Sequence, residues 1–444
     1  MRSTVLTSCL SLALTAIAST SSLAENWPQW RGPTGNGLSG ETGIATEWSN
    51  EKNVAWRLPL PGPAGATPIV WGDRIFVTST VGSDEGADLV LVCASTDGKQ
   101  LWQKKVGSGN LNARTTEGNS ASPTPVTDGE HVWTFFGTGI LGCYDFEGNE
   151  VWKFNVQDRY GEFDIQFGMS STPVLDGDHL YLQLLHGKWG GEYLVQKVIK
   201  LKKSTGEDVW AVDRAPEPGA ISLEMGETKQ SYASPIMYND GKHHWLVTHG
   251  ADSTIGHDLS DGHEVWRIGG LNGPSSFNPG QFDQTFRFVT SPTAVDGTII
   301  IATAKRGPSV AVKVDDSLKG RIEKPSDQIR WVNDKTPDVC CPLVVDGLVY
   351  FVRKSGQVFC VDLKTGDEFY YENTRREQHR SSPVYCDGHI YSTARDGHTT
   401  VFKTGPKLEI VAENDLGETM TSTPVISNGT LYMRTYDALY AIRK

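Results

Sequence analysis

The chain has 444 residues, 38% hydrophobic and 9% aromatic, with 47 Gly and 22 Pro, a composition that excludes extensive disorder and fits a turn-rich globular protein. Its formal charge is −12, from 41 Lys and Arg against 53 Asp and Glu, with no run of basic residues interleaved with aromatics. Nucleic acid and anionic lipid are therefore excluded as partners, because binding phosphates needs clustered cations that displace counterions.

Residues 1–24 read as a signal peptide: Arg2, an apolar stretch from Leu10 to Ala18, and a small-x-small site, Ser22-Leu23-Ala24, before Glu25. The apolar stretch is shorter than the roughly 18 residues of a membrane span, and no later stretch qualifies. Cys9 lacks the small-residue box of a lipidated cysteine, which argues against a lipoprotein. The expected mature protein is exported, to the periplasm or beyond the cell, and is expected to be a monomer. Its charge is 40 minus 53, or −13, once Arg2 is removed.

Residues 25–47 follow as an N-terminal clasp. The stretch NWPQWRGPTGNGLS is too rich in Pro and Gly for helix, and Trp27 and Trp30 are expected to plug an apolar groove; a ligand site is the alternative reading. Residues 48–444 carry a repeat. Pro68, Pro125, Pro173, Pro235, Pro292, Pro342, Pro383 and Pro424 each precede a short strand and a turn, such as Asp176-Gly177, Asp296-Gly297, Asp346-Gly347 or Asn428-Gly429. Asp-Gly and Asn-Gly favour the positive φ of tight hairpins, so the first two strands of each unit are antiparallel neighbours. Stretches such as IFVTS, LYLQL and VYFV follow. A repeat of about 40 to 60 residues, built of four short strands, predicts an all-β, eight-bladed β-propeller.

The second half of the repeat carries Gly and then Trp: Gly98 with Trp102, Gly148 with Trp152, Gly206 with Trp210, Gly262 with Trp266. Blade five reaches Trp331 by an irregular route, and blade six has Tyr370 at that place. On these residues the chain resembles the pyrroloquinoline-quinone-like (PQQ-like) repeat propellers, in which such a Trp packs on the neighbouring blade. That family includes quinoprotein alcohol dehydrogenases and the non-enzymatic propeller lipoprotein of the outer-membrane β-barrel assembly machinery. The clasp resembles the opening of exported propellers of planctomycete bacteria. The eighth repeat reaches Lys444 with no outer strand, while NVAWRLPL, containing Trp56, has the outer-strand pattern ahead of the first Pro. The propeller is therefore expected to be closed by an N-terminal strand, which removes an open sheet edge.

Function is expected where the repeat breaks. The connections after the first four blades are long, and long loops on a rigid ring are where recognition residues collect. Small, often hydroxylic residues precede each Pro, as in Ser171-Thr172, Ala233-Ser234, Thr290-Ser291, Ser381-Ser382 and Ser422-Thr423, but blade six has Cys340-Cys341. The resemblance implies that this pair could stand beside a quinone as a vicinal disulfide; the residues alone read as small fillers in a tight strand. Cys93, Cys143 and Cys360, at one shared repeat position in different blades, also read as small buried residues, while Cys386 completes the six cysteines of the mature chain. Arg287, Gln230, His379 and Arg380 approach the inner strands and are candidates for the channel mouth. Arg375 and Arg376 stand just before them.

A quinone would also need a cation such as Ca²⁺, held by six to eight oxygens, and a base. Glu117, Asn119, Asp158, Glu162, Asp164, Glu224 and Asp283 offer oxygens without a clustered motif. His243 and His244, adjacent on a strand, point to opposite faces and cannot form a metal pair. No Cys-x-x-Cys-His haem site, Gly-rich phosphate loop, Gly-x-Ser-x-Gly elbow or His-Glu-x-x-His occurs. No catalytic residue and no metal ligand is assigned. The sequence favours a non-catalytic platform that binds a protein or an extended ligand over its loop-rich face. A PQQ- and calcium-dependent oxidoreductase is the alternative. A carbohydrate-binding propeller, using Tyr160, Trp189 and Tyr193, is the second alternative.

Overall fold

The structure is a computed structural model. It describes residues 25–110, 118–188, 192–215, 217, 227–280, 282–295, 297–305 and 307–444. The signal-peptide reading of residues 1–24 lies outside the described residues, as do Glu117, Trp189, Glu224 and Asp296. Among the described residues, no helix is long and apolar enough to cross a membrane.

Eight sheets form, six of four strands and two of five. Blade one shows the pattern: Ile69–Trp71, Arg74–Val81, Asp88–Ser95 and Gln100–Ser108 lie side by side in chain order. The innermost strands of successive blades touch one another from blade one to blade seven, which sets the short Pro-led strands around the axis. Middle strands are buried on both faces, because each sheet is sandwiched between two others, and they read as continuous apolar or hydroxylic runs. Outer strands alternate instead, as in VAWRLP, since one face packs on the next blade and the other meets solvent.

The closing strand is where the sequence placed it. Val54–Pro59 pairs antiparallel with Ala438–Ile442 and completes blade eight. The two ends of the chain thus share one sheet, and no blade edge is left open at the seam.

The Gly and Trp of the repeat answer each other between blades. Trp56, Trp102, Trp152, Trp210 and Trp331 donate their indole N–H to the carbonyls of Thr96, Phe146, Lys203, Leu259 and Leu363 in the following blade, at 2.9–3.1 Å. A Cβ on Gly98 would stand 2.6 Å from the Trp56 ring, and one on Gly366 would stand 2.6 Å from Trp331. Glycine is needed there for that approach and for its positive φ. Trp266 departs from this pattern. The insertion that makes blade five irregular adds Gly320–Ile322 in parallel to Glu264–Gly269, so Trp266 is buried beneath an extra strand and its indole N–H has no partner among the described residues.

The hairpins also diverge. Both central residues have positive φ at Asp346-Gly347, Asp387-Gly388 and Asn428-Gly429. In blade three the two-residue turn is Gly177-Asp178, with only Gly177 at positive φ, because Asp176 pairs with His179. One sequence beat therefore covers more than one turn geometry.

Residues 25–47 cross the end of the ring that bears the inner hairpins. The backbone of Trp27 pairs with Val70 at 2.8 and 2.9 Å, the amide of Thr127 donates to Pro28, and Leu38–Ser39 adds in parallel to Val384–Cys386. Glu41 accepts from the amides of Asn428 and Gly429 at 2.7 and 2.6 Å. Trp27 is 0% exposed in the core shared by blades one, seven and eight. Trp30, expected in an apolar groove, instead faces the channel, and its indole N–H donates to the Thr423 hydroxyl at 3.2 Å.

Candidate functional site: a central cup

The residue ahead of each inner-strand Pro builds a closed ring around the axis. The amide of Thr67 donates to the Thr124 hydroxyl at 3.1 Å, Thr124 to Thr172 at 3.2 Å, Thr172 to Ser234 at 2.8 Å, and Ser234 to Ser291 at 2.8 Å. Ser291 donates to the Cys341 sulfur at 3.3 Å, Cys341 to Ser382 at 3.0 Å, Ser382 to Thr423 at 3.3 Å, and Thr423 back to Thr67 at 3.0 Å. Each blade thus gives one backbone donor and takes one side-chain acceptor, which satisfies amides that no sheet ladder reaches.

The ring explains the vicinal cysteines. Cys341 occupies the hydroxyl position of blade six, and its sulfur accepts a single N–H there. Cys340 is turned the other way, into the core of blades six and seven, where burial pushes its thiol well above the ordinary range. All six cysteines among the described residues are free and buried. No vicinal disulfide joins Cys340 to Cys341 in this structure.

Above the ring the channel widens into a cavity of about 380 Å³, within the range of small-molecule sites at roughly 300–1,000 Å³. Trp30 and the N-terminal segment close its lower end, so the channel is a cup that opens on the opposite face. Inner strands run away from that face and the second strands run back to it, so the loops after the second and fourth strands surround the mouth. Thr67, Thr124, Thr172, Ser234, Ser382 and Thr423 form the lower wall, and Phe167, Tyr232, Arg287, Lys305, Asp338, Lys354 and Arg380 line the upper wall.

The upper-wall cations are anchored from behind. Arg287 lies over the Phe167 ring, 4.5 Å from its centroid, and its Nε meets Glu227 at 3.0 Å. Lys305 stands 3.5 Å from Asp283, Lys354 is paired with Asp338, and Arg380 donates to Gln378 at 3.1 Å. Below the ring, Arg31 is buried and donates to the Thr293 hydroxyl at 2.9 Å and to the carbonyls of Asn36 and Pro342 at 3.0 and 2.6 Å. That burial pulls its guanidinium below the ordinary value.

Of the residues singled out in the sequence, Arg287 and Arg380 line the cup. Gln230 does not reach the mouth. It braces the wall from behind, accepting from the Gln166 amide at 3.2 Å and the Tyr232 hydroxyl at 2.9 Å while donating to Gly187 at 3.2 Å. His379 is likewise buried, with Nδ1 3.0 Å from the Glu377 carbonyl, and burial lowers its pKa. Arg375 is an exposed partner of Asp396. The histidine pair separates as expected, His243 toward Asp240 and Asp316, His244 toward Asp176. Tyr160 and Tyr193 are held by Asp208 and by the Glu162 carbonyl, away from the cup.

Sequence reasoning missed Lys305, Lys354 and Asp338. Lys305 and Asp338 hold left-handed backbones, with φ of 52° and 76°, and so does Arg31 beneath the ring, with φ of 64°. Non-glycine residues held in this region often accompany functional sites.

Solved structures share this architecture at low identity. The chain is similar to the europium-containing methanol dehydrogenase, with TM-score 0.66 and 12% identity, over 95% of this chain and 98% of that one. It is similar to the quinohemoprotein alcohol dehydrogenase from Comamonas testosteroni, with TM-score 0.64 and 12% identity, over 94% and 80%. It is also similar to BamB from Moraxella catarrhalis, with TM-score 0.59 and 13% identity, over 88% and 99%. No curated protein matches the sequence. The family model described as outer membrane protein assembly factor BamB matches residues 38–182 and 88–404, most of the length. With that coverage and the inter-blade Trp contacts, the chain belongs to this PQQ-like repeat family of β-propellers.

Proposed function

We propose that the protein is an exported, non-catalytic propeller that works as a binding platform, with recognition centred on the open mouth of the cup. The observation that carries this reading is the one-ended channel. The N-terminal segment occupies the lower face, with Trp30 at the base of the cavity, whereas all eight blades contribute residues to the cavity wall among the described residues. A rigid ring with independently variable loops suits recognition of a protein or an extended ligand. Kinship with a family described by an assembly factor supports the platform reading and export.

The quinone alternative meets a poor chemical fit. A calcium ion takes oxygen ligands, carboxylates above all. The described lining instead brings Arg287, Lys305, Lys354 and Arg380 against one carboxylate, Asp338, which already holds Lys354. Asn119 donates to Pro63 and accepts from Ala121, Asp283 faces Lys305, and neither they nor Asp158, Glu162 and Asp164 line the cup. Cys341 belongs to the ring and Cys340 to a blade core, which leaves no disulfide to stack on a cofactor. No reaction step is therefore assigned to PQQ.

Photo-cross-linking in an extract of the native compartment tests the platform. A photoreactive residue at Glu85 or Arg376, exposed on the upper loops, is expected to give discrete adducts, and one at Lys99 or Lys364, exposed on the lower turns, is expected to give none. Adducts confined to the lower turns, or absent from both faces, would overturn the reading.

A further inference from the structure

We propose that the cup binds a small oxyanion directly, without a bridging metal ion: a compact molecule bearing carboxylate or phosphate groups. The proposal rests on the platform reading and names the chemistry its central site would take.

Charge is the first support. Among the described residues, the lining holds Arg287, Lys305, Lys354 and Arg380 against Asp338, four positive charges minus one, or +3, inside a chain of formal charge −12. Including Glu227 and Asp283 behind the wall gives +1, and adding Arg31 below gives +2. A cleft of one sign with low-dielectric walls focuses field toward its centre, so an acidic protein presents a locally cationic well.

The ring supplies the second support. Thr67, Thr124, Thr172, Ser234 and Ser382 are each less than a tenth exposed and line the cup. Every one of these hydroxyls already accepts a backbone N–H, and among the described residues none donates to a protein acceptor. Their protons therefore remain for whatever fills the cavity. Thr421, also on the lining, has a buried hydroxyl with no partner among the described residues. A floor of O–H donors beneath a wall of cations matches a ligand rich in acceptor oxygens. Hydrogen bonds from such donors to a charged oxyanion are about twice as strong as neutral ones. Left-handed backbones at Lys305 and Asp338 fix two wall residues in sparsely populated conformations, as expected of a preorganised site.

The test is calorimetric titration of the mature chain in EDTA with tricarballylate and, separately, with inorganic phosphate. One-site saturable binding of at least one is expected, weakening as salt rises, and the anion that binds identifies the source chemistry. Arg380→Gln combined with Lys305→Gln is expected to weaken binding at least tenfold. Thr421→Val, which removes no protein hydrogen bond, should weaken it several-fold with the melting transition unchanged, and the lower-turn control Lys364→Gln should change nothing. Failure of both anions to bind, binding that requires added Ca²⁺, or binding untouched by the cup variants would overturn the proposal. If binding fails while cross-links stay on the upper face, the anion site falls and the platform stands. If binding holds while upper-face cross-links are absent, the platform falls and the anion site stands.

Discussion

At position 341 a cysteine does the work of a hydroxyl. Its sulfur accepts the Ser291 amide at 3.3 Å, and its own amide donates to Ser382 at 3.0 Å, so only an acceptor of that size is required. Cys341→Ser should therefore leave thermal stability and anion binding unchanged. Cys341→Val leaves the Ser291 N–H buried and unpaired, which costs about 1–3 kcal/mol. Thermal melts of both variants check this, and a large loss in the serine variant would show that the thiol has a role beyond the ring. The hydroxylic residues ahead of each Pro were legible in the sequence, but their closure into one ring was not, since it exists only after eight distant segments meet. Gln230 and His379 were misplaced for a related reason. Both lie in irregular connections, where no period of two says which way a side chain turns.

Among the elements, the outer strand shows how much a repeat can encode. In every blade its register slips by one residue just before the Trp position, and the skipped residue is Ala55, Leu101, Val151, Val209, Val265, Arg330, Phe369 or Val411. Such bulges twist an edge strand away from edge-to-edge pairing and aim the next side chain at the neighbouring blade. Gly, Trp and their spacing announced the contact, whereas the insertion that covers Trp266 carries no repeat signal and could not be read. The middle strands of blades three and four also bury His186, His249 and His257, with pKa values lowered by burial to about 4, 3 and 4. The folded chain keeps these imidazoles neutral while the unfolded chain protonates them below about 6.5, so unfolding takes up protons and stability falls with pH. His243 and His263, raised by Asp240 and Asp261, act in the opposite sense but lie at the surface, where solvent screens the gain. The melting temperature should hold near pH 7 and drop between about pH 6.5 and 4.5, with a shallower slope in His186→Gln. A melting temperature that is flat or rises on acidification to pH 5 would contradict it.

Over the whole molecule, one chain both closes the ring and seals one end of its axis. Residues 54–59 complete blade eight, and the preceding segment reaches blades one, two, five, six, seven and eight. Propeller architecture, blade number and the closing strand were legible because each follows from repetition. The cup was not, because Lys305 and Lys354 sit in a turn that blades two and seven share while carrying Gly137 and Arg395 at the same place, and they meet Arg287 and Arg380 only around the axis. We propose recognition, not catalysis, as the role of this cup. It is tested most directly by mixing the purified mature chain with PQQ and Ca²⁺, following cofactor uptake and the reduction of an electron-accepting dye with alcohols or aldoses. No dye reduction and no Ca²⁺-dependent uptake are predicted, whereas stoichiometric Ca²⁺-dependent uptake with turnover would contradict the account.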